Sequence, residues 1–444
     1  MKRLAAVSAL AAAVGLSLAA VGIAGPAKHS SVAGPTNLTA WVGWSAGTHE
    51  LKVFKSLVDE YNASQKAIHV NVVGDIVDTK IVAAIRSGTA PDIVSSFNSY
   101  NVGNYCGTGG WIDLTSYLKK SGISMTDFPA PTRYYTQYGG KQCALPLLAD
   151  TYGLYFNTTL LKKAGITHPP KTISELTADA KKLTVRNSDG SLKVVGLDPF
   201  IGFYENVPER WAQSFGVKWQ DSSGNSIISK DPRWSKMFKW QKSLIDWYGY
   251  KNLVKFQAGL GDEFSASQAF EKGKLAMNMD GEWRVAFIAD EAPTLKYGTA
   301  PMPVDDAQPS LYGSGYDNGT IIGIPKGGKH QDQAWQVVKY LTTNSHFLAQ
   351  FSNGIRNVPT TKASLTSPEL KPDPHFAPFL KILAHPKSWT SPITAAGVAY
   401  TNLVQNFFTK YQAGQVSNLQ SALEQLDKQL DALVKQAKGG GGVP

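Results

Sequence analysis

Aromatic residues stand next to hydrogen-bonding residues at several points of this 444-residue sequence. A ring offers a flat apolar face, and hydroxyl, amide and carboxylate groups beside it offer hydrogen bonds. Together they suit a small polar ligand that has C–H faces and many hydroxyl groups. Each ring can equally well fill the core of a large protein. The candidates of this kind are Trp44, Ser45, Tyr204, Glu205, Trp211, Tyr316 and Asn318.

Two of the stretches that carry these candidates are expected to be loops. Trp44 and Ser45 follow a short apolar strand, and the alternative for Trp44 is that it packs beneath its own loop. The segment from Tyr204 to Trp211 has no clean periodicity, which favours a functional loop. Its alternative is a surface turn before a helix that begins at Pro208.

The third stretch, residues 313–319, is rich in glycine. It lacks the GxGxxG spacing and the following helix of a phosphate-binding loop. It is therefore expected to bring Tyr316 and Asn318 to the mouth of a cleft. The eight histidines are scattered, and the sequence contains no H-E-x-x-H helix and no P-loop. No metal, cofactor or catalytic residue is expected.

Alternating strand and helix signals position the first candidates. Three apolar runs alternate with two amphipathic helical segments, in the order 38–42, 50–62, 68–73, 78–87 and 92–94. This order is typical of an α/β fold in which helices cover a parallel sheet. Ligands of such sheets bind beyond the carboxyl ends of the strands, where Trp44 and Ser45 lie.

The remaining elements are spaced less regularly. Thr172 and Glu175 have the capping-box spacing that begins a helix ending at Leu183. Leucines at alternating spacings of four and three in 419–437 predict a last helix that docks on its own lobe, with a coiled-coil seam as the alternative. Further strands and helices are predicted at 152–156, 158–164, 234–248, 265–273, 275–279, 320–324 and 332–343.

Length and composition indicate a folded protein of two lobes. A chain of 444 residues is too long for one compact core. Its 43% hydrophobic and 18% charged residues are those of an ordinary globular protein. The net charge is +10, but the basic residues are scattered along the chain, which argues against nucleic acid as a partner.

The first 27 residues have the layout of a secretory signal peptide. Lys2 and Arg3 precede an apolar, Ala-rich stretch from Leu4 to Ile23, and small residues follow it. Export to the periplasm or the outer face of the cell membrane is expected, and an uncleaved N-terminal anchor is the alternative. A lipid anchor on an N-terminal cysteine is not expected, because no cysteine precedes Cys106.

The two cysteines, Cys106 and Cys143, are expected to form a disulfide. Exported proteins fold in oxidising compartments, where such a bond forms and persists. Two buried free thiols are the alternative. Neither the number nor the spacing of the cysteines fits a zinc site.

Short motifs recur in a specific order between Leu38 and about Pro359. They are RSGTAPDI (86–93), WIDLT (111–115), GKQCALP (140–146) with DTYGLYFN (150–157), KAGI (163–166), FEKGKLAM (270–277) with DGEW (280–283), and APMP (300–303). In this order they resemble the family 1 extracellular solute-binding proteins of ABC importers, the maltose-binding-protein-like group. Each motif is short, and their shared order makes the resemblance specific.

The resemblance implies a two-lobed fold like that of the type II periplasmic binding proteins. Each lobe would be a mostly parallel sheet flanked by helices, and hinge strands would cross between the lobes. The implied arrangement is a signal peptide at 1–27, a linker at 28–37, a first lobe of 38–148 plus 310–357, a second lobe of 149–309 plus 358–438, and a disordered tail at 439–444.

The resemblance also implies further ligand-binding residues. Asp150, at the crossover, would accept hydrogen bonds from sugar hydroxyls or cap the hinge. Trp283 would stack on the sugar or lie in the core. Arg356, near the second hinge, would bind the ligand or form a structural ion pair. The added candidates are Asn98, Ser99, Asp150, Asp280, Trp283 and Arg356.

The implied function is that of the receptor of an ABC importer. Such a receptor would be a monomer that captures a mono- or oligosaccharide between its lobes and delivers it to permease subunits in the membrane. One alternative is a receptor for glycerol phosphate or another acidic solute, which the basic surplus allows. The other is a secreted glycoside hydrolase that uses two of the carboxylates Asp150, Glu205 and Asp280.

Overall fold

The computed structural model describes residues 34–371 and 373–439. The predicted signal peptide lies outside the described residues, as do 28–33 of the linker and 440–444 of the tail. The strands are β1 (Thr36–Trp41), β2 (Ile68–Val73), β3 (Ile93–Ser96), β4 (Gln137–Tyr138), β5 (Lys141–Gln142), β6 (Leu145–Asn157), β7 (Val185–Arg186), β8 (Leu192–Leu197), β9 (Leu275–Gly281), β10 (Tyr297–Pro301) and β11 (Asp317–Gly323).

Helices of very different length surround these strands. The α-helices are α1 (His49–Ser64), α2 (Asp78–Ser87), α3 (Val102–Gly107), α4 (Thr115–Lys120), α5 (Ala130–Tyr134), α6 (Thr158–Lys163), α7 (Ile173–Leu183), α8 (Pro208–Phe215), α9 (Pro232–Tyr248), α10 (Tyr250–Gln257), α11 (Arg284–Glu291), α12 (Gln331–Thr343), α13 (Ser345–Ile355), α14 (Ala377–Ala384), α15 (Val398–Gln412) and α16 (Leu419–Lys438).

Within the described residues, nine strands form one mixed sheet. Its order is β2-β1-β3-β11-β6-β9-β8-β7, and β10 also pairs with β6. β1 pairs in parallel with both β2 and β3, as the sequence predicted. β11 runs antiparallel to β3 and β6, and β6 runs antiparallel to β9 and β10. The two short strands β4 and β5 form a separate hairpin.

β6 joins the two halves of the molecule. Its 13 residues begin beside β11 and end between β9 and β10. All but Asp150 and Phe156 are buried. A strand buried on both faces does not follow a simple alternation of apolar and polar residues. β6 accordingly carries apolar side chains on both faces, interrupted by Asp150 and Thr151.

Two large apolar cores lie in the two halves. The first is built from residues within 38–148 and 322–355, and the second from residues within 149–302 and 358–430. The chain still contacts the first half after residue 358, because the hydroxyl of Thr360 donates to the Pro146 carbonyl at 3.0 Å. The residue boundaries of the two lobes stay a prediction.

Two helices agree with the sequence predictions, α7 in its N-terminal cap and α16 in its docking. The Thr172 hydroxyl accepts a hydrogen bond from the Glu175 N–H at 3.2 Å, and α7 runs from Ile173 to Leu183. The Glu175 carboxylate accepts from the N–H of Lys171 at 2.7 Å. α16 docks on the second core through three of its leucines, so the docking prediction is confirmed; these are Leu423, Leu426 and Leu430.

The predicted helix at 265–273 is wrong, because the structure has turns there. The side-chain Oε1 of Gln268 accepts hydrogen bonds from the backbone N–H groups of Phe270 at 2.7 Å and Glu271 at 3.1 Å. A side chain that binds nearby backbone groups offers them an alternative to helical pairing. The segment therefore enters β9 through turns.

Cys106 and Cys143 are joined by a disulfide, with their Cα atoms 5.6 Å apart. Both residues are buried in a small third cluster of the first half. The bond links α3 to the chain that leads into β6, across a sequence separation of 37 residues. Beside it, the ring of Trp111 stacks on that of Tyr105 with centroids 4.5 Å apart.

Candidate functional site

Two paired strands present polar side chains at the junction of the halves. Asp150 of β6 lies directly opposite Asn318 of β11, so both side chains lie on the same side of the sheet. Tyr152 shares that side, because it follows Asp150 by two residues in the strand. Its hydroxyl donates to Oδ1 of Asn318 at 3.1 Å.

Trp283 reaches Tyr152 because Gly281 leaves room for its ring. Gly281 of β9 is paired with Tyr152, and a Cβ atom at this position would lie 2.2 Å from the indole of Trp283. A residue with a side chain would displace the indole. The rings of Trp283 and Tyr152 meet edge to face, with centroids 5.7 Å apart and planes at 90°.

Tyr100 and Tyr316 complete a group of four rings. Tyr100 lies in a turn after β3, and Tyr316 immediately precedes β11. Their hydroxyl groups are hydrogen-bonded to each other, and the centroids of Tyr316 and Tyr152 are 5.9 Å apart. We call Tyr100, Tyr152, Tyr316 and Trp283 the ring cluster. Its rings come from both halves of the chain.

A largely buried cation lies on the ring cluster. α8, which begins at Pro208, carries Arg210, and the guanidinium carbon lies 4.0 Å from the ring centroid of Tyr152. This is a cation–π contact. Arg210 also forms an ion pair with Glu205. The protein therefore already places one cation, held by a carboxylate, against an aromatic face of the cluster.

Glu209 is a second acidic residue beside the rings. Only 6% of its surface is exposed, and its Oε2 has no hydrogen-bond partner among the residues that the structure describes. Burial raises the pKa of Glu209 to about 7, against the opposing effect of Arg210. Burial also raises the pKa of Tyr100 and of Tyr316, and the nearby Glu209 carboxyl raises both further. The Glu209 carboxyl therefore lies close enough to the ring cluster for its charge to influence these two hydroxyl groups.

Other buried polar atoms at this junction also lack a hydrogen-bond partner among the described residues. Within residues 34–371 and 373–439, no hydrogen-bond partner is found for Nε1 of Trp283, Oγ of Ser99 or Nε of Arg210. Buried polar groups of proteins are normally hydrogen-bonded. Donors and acceptors that are fixed in place beside apolar rings are what a hydroxyl-rich ligand needs.

Asn357 bridges the partly buried carboxyl group of Asp150 and the buried one of Glu282 where the chain passes between the halves. Its Nδ2 donates to Oδ1 of Asp150 at 2.9 Å and to Oε1 of Glu282 at 2.8 Å. Burial raises the pKa of Asp150 and of Glu282. The charge of Asp150 raises the pKa of Glu282 further, and the charge of Glu205 raises that of Asp150.

A second buried ionic group surrounds Arg284, next to β9. Its Nε donates to Oδ2 of Asp280 at 3.0 Å, and one NH group donates to Oε1 of Glu271 at 3.3 Å. Oδ1 of Asp280 accepts from the backbone N–H of Gly281 at 2.9 Å. The candidate Asp280 is therefore engaged in a structural ion pair.

The structure brings together about half of the candidates that the sequence suggested. Tyr316 and Trp283 belong to the ring cluster, and Asn318 binds the hydroxyl of Tyr152. Three more lie next to the cluster or to residues that contact it. Ser99 precedes Tyr100 in the chain, Asp150 binds Asn357, and Glu205 pairs with Arg210.

Three candidates of the first half lie elsewhere. Trp44 is 8% exposed and packs against other rings of the first core, in agreement with the packing alternative. Ser45 is exposed just before α1. Asn98 donates from its amide to Oδ2 of Asp78 at 2.5 Å. The ring partners of Trp44 are Phe54, Phe97 and Phe351.

Three further candidates have protein partners of their own. Trp211 is fully buried, and its indole N–H donates to Oδ1 of Asn206 at 2.6 Å. The hydroxyl of Tyr204 donates to a backbone carbonyl at 2.6 Å. Arg356 forms an ion pair with Asp373 across 3.6 Å. These contacts agree with the structural alternatives.

Sequence reasoning missed several residues of the junction. They are Tyr100, Tyr152, Glu209, Arg210, Glu282 and Asn357. One signal was available, because Tyr152 follows Asp150 by two residues at the start of a predicted strand and so shares its face. Nothing in the local pattern marks the burial of Arg210.

The described part of the chain holds neither a membrane-spanning helix nor a cluster of metal ligands. None of its helices is both long and apolar enough to cross a membrane. In those same residues, no three His, Cys, Asp or Glu side chains are grouped in a way that could hold a metal ion.

A sequence profile of a family described as "bacterial extracellular solute-binding protein" matches residues 56–378. That span is well over half of the chain and contains the whole ring cluster. This chain belongs to that family. The family that the short motifs suggested is thereby confirmed, and the junction just described is the candidate ligand site of a solute-binding protein.

Curated relatives of this solute-binding protein include two that are named for sugars. A maltotriose-binding protein of Pyrococcus abyssi is 24% identical over 341 residues, which cover 76% of this chain and 70% of the relative. A maltooligosaccharide ABC transporter solute-binding lipoprotein of Streptococcus pneumoniae is 26% identical over 314 residues, which cover 66% and 65%.

Solved structures share the fold of this solute-binding protein. CpMnBP1 with mannotriose bound has a TM-score of 0.77 and 26% identity, over 89% of this chain and 100% of the other. A maltose-bound MalE3 of T. maritima has a TM-score of 0.71 and 22% identity, over 90% of this chain and 100% of the other. With the sheet described above, these likenesses confirm the predicted two-lobed α/β fold. The sheet is mixed and not mostly parallel as the resemblance implied, because β6 and β11 run antiparallel to their neighbours.

Proposed function

We propose that this solute-binding protein captures a saccharide at the ring cluster and delivers it intact to an ABC importer. The observation that carries the proposal is the ring cluster itself, which combines aromatic faces with buried polar atoms that have no partner among the described residues. Sugars present apolar C–H faces and hydroxyl groups together, so they need both features. The names of the two sugar-binding relatives and the mannotriose-bound structure support the same ligand class.

Hinge motion of the two halves is the proposed route of entry. Tyr100 comes from the first half, Trp283 and Arg210 come from the second, and β6 places Tyr152 between them. Opening would separate Tyr100 from Trp283, and closure around the ligand would bring them together again. Closure of this kind is established for periplasmic binding proteins as a class.

The proposed partners are membrane permease subunits, and the proposed place of action is outside the cytoplasm. The relative from Streptococcus pneumoniae is named as a component of an ABC transporter, which supports the first point. The signal-peptide layout of the first 27 residues supports the second. We propose that the protein acts as a monomer.

A catalytic role is not part of the proposal. The three carboxylates considered for a hydrolase each have protein partners: Asp150 binds Asn357, Glu205 pairs with Arg210, and Asp280 pairs with Arg284. A carrier must bind the ground state of its ligand and release it unchanged, whereas a catalyst must bind the transition state more tightly.

Titration with sugars tests the proposal. Mannotriose, maltotriose and their monosaccharides would be added to the purified protein while tryptophan fluorescence and heat of binding are recorded. We expect saturable binding with a Kd of about 1 µM, or about −8 kcal/mol. Chromatography of the recovered sugar should show no cleavage. Cleavage products, or no response to any sugar of a broad panel, would contradict the proposal.

A further inference from the structure

We infer that the ring cluster selects saccharides that carry a protonated amine and rejects acidic saccharides. The inference rests on the proposed function, because it names the charge class of the sugar bound at that same site. It comes from the charged groups around the rings, which neither the family nor the names of the relatives specify.

Carboxyl groups outnumber cations around the ring cluster. Four of them act on the tyrosines of the cluster, namely Asp150, Glu205, Glu209 and Glu282. Among the described groups that act on these tyrosines, Arg210 is the cation. Glu205 already balances its charge through their ion pair. Burial raises the pKa of Asp150, Glu209 and Glu282, so these carboxyl groups are only partly ionised at pH 7. An additional positive charge at the rings would favour their ionised forms, and an additional negative charge would be opposed by them.

Glu209 supplies the anchor for that charge. Its side chain is more than nine-tenths buried, and none of the described residues binds its Oε2. A ligand ammonium there would form a charge-assisted hydrogen bond, about twice as strong as one between neutral groups. The carboxylate of an acidic sugar would instead be buried against a like charge.

The rings themselves can hold a cation. Arg210 shows this directly, because its guanidinium lies over the face of Tyr152 at 4.0 Å. Tyr100 and Tyr316 lie close enough to Glu209 for its charge to act on their hydroxyl groups. An ammonium bound to Glu209 would therefore lie near these hydroxyl oxygens, which can accept further hydrogen bonds from it.

The protonation of Glu209 gives the inference a pH signature. The charged or titratable groups that face Glu209 are Arg210 and Glu205 on its own segment, and Tyr100 and Tyr316 across from it. An ammonium favours the ionised carboxylate, so binding of an amino sugar releases a proton from Glu209 near neutral pH. Amino-sugar affinity should therefore rise between pH 5.5 and 7, while the affinity for hydroxyl sugars changes less.

The test compares sugars that differ in one group. Glucose, glucosamine and glucuronate, and the matching pair of mannose and mannosamine, would compete against mannotriose in calorimetric titrations at pH 7. We expect at least one amino sugar to compete about tenfold better than its hydroxyl parent, and glucuronate about tenfold worse than glucose. Equal competition by parent and amino sugar, effective competition by glucuronate, or no competition by any monosaccharide would overturn the inference.

A matched variant isolates Glu209. Glu209→Gln should lower the preference for the amine by about tenfold, whereas Glu424→Gln, on the exposed side of α16, should leave it unchanged. A melting curve of each variant checks that it is folded. A preference that survives in folded Glu209→Gln would overturn the inference. If neither mannotriose nor any other sugar binds, the proposed function fails as well; binding of mannotriose without any amine preference removes only this inference.

Discussion

The indole of Trp283 meets the ring of Tyr152 edge to face, directly over a strand position that has no side chain. One strand register produces this contact, and a second gives the hydroxyl of Tyr152 its partner. β6 pairs with β9, which places Gly281 opposite Tyr152, and β6 pairs with β11, which places Asn318 within reach of the Tyr152 hydroxyl. The candidate site is therefore built where three strands meet, and its geometry depends on backbone pairing as much as on side chains.

Substitution of Gly281 tests this geometry. In Gly281→Ala the new Cβ would lie 2.2 Å from the indole of Trp283, so the ring must move. We expect saccharide affinity to fall about tenfold, measured by calorimetry. Gly34→Ala is the control, because a Cβ there meets nothing within 4 Å. Unchanged affinity in Gly281→Ala would show that the ring position does not matter for binding.

Removal of the indole should have a larger effect. Trp283→Leu deletes the edge-to-face contact and one aromatic face of the site, so we expect a loss of about tenfold to a hundredfold in affinity, or about 1.4 to 2.8 kcal/mol. Fluorescence should also lose most of its response to ligand. Trp247→Leu is the control, because that ring is 40% exposed outside the cluster. Equal effects of the two substitutions would argue against a site at the ring cluster.

Asn357 should stabilise the folded protein through its two carboxyl partners. In Asn357→Ala, Asp150 and Glu282 lose a shared donor in a buried setting, so we expect a loss of about 1 to 3 kcal/mol in the free energy of unfolding. Urea denaturation measures it. Asn225→Ala removes an amide from an exposed turn and should cost less than about 0.5 kcal/mol. Similar losses in both variants would mean that the bridge contributes little.

The buried acids predict a stability that falls as pH rises. Burial raises the pKa of Asp198 to about 6 and of Glu209 to about 7, above the usual values of about 4 in the unfolded chain. Between those values the folded state holds more protons than the unfolded state, so its extra stability is present at low pH and is lost as pH rises towards 7.

Melting temperatures of the ligand-free protein at pH 5, 6, 7 and 8 measure this dependence. We expect a decrease across the series. Glu209→Gln cannot ionise at this position and should show a shallower decrease, whereas Glu424→Gln should match the unmodified chain. A melting temperature that rises from pH 5 to pH 8 would contradict the assignment of raised pKa values.

The disulfide is expected to stabilise the first half. Closing a loop across 37 residues restricts the unfolded chain by about 4 kcal/mol in the chain-entropy model. The double substitution Cys106→Ala with Cys143→Ala should therefore lower the free energy of unfolding by an amount of that order. Denaturation followed by tryptophan fluorescence measures it. A double variant as stable as the parent would show that packing alone holds α3 in place.

The sequence predicted the elements whose signals are local. Alternating strands and helices predicted the parallel order of β1, β2 and β3, and a capping pair predicted the start of α7. The helix prediction for 265–273 was wrong because one side chain, that of Gln268, accepts hydrogen bonds from backbone N–H groups that periodicity assigns to a helix. A local pattern does not reveal such competition.

The candidate site was harder to predict than the fold. Family motifs pointed to Trp283 and Asp150, but the contact of Trp283 with Tyr152 depends on the register between β6 and β9, which are more than 100 residues apart. Arg210 lies in a short amphipathic helix, and its burial follows only from where that helix docks. Charged residues in such a pattern normally face solvent.

The crossing strand also limits how this protein can be divided. β6 supplies paired backbone to β11 with its first residues and to β9 and β10 with its last. A cut after residue 148 would therefore separate residues 145–148 from the rest of β6. β9 and β10 would keep their partners in 152–157, but β11 would lose the β6 partners of Thr320, Ile321 and Ile322 and all of its pairs with β3. Separate expression of the halves, or their use as complementing fragments in a split reporter, should give insoluble chains unless the cut is placed outside β6.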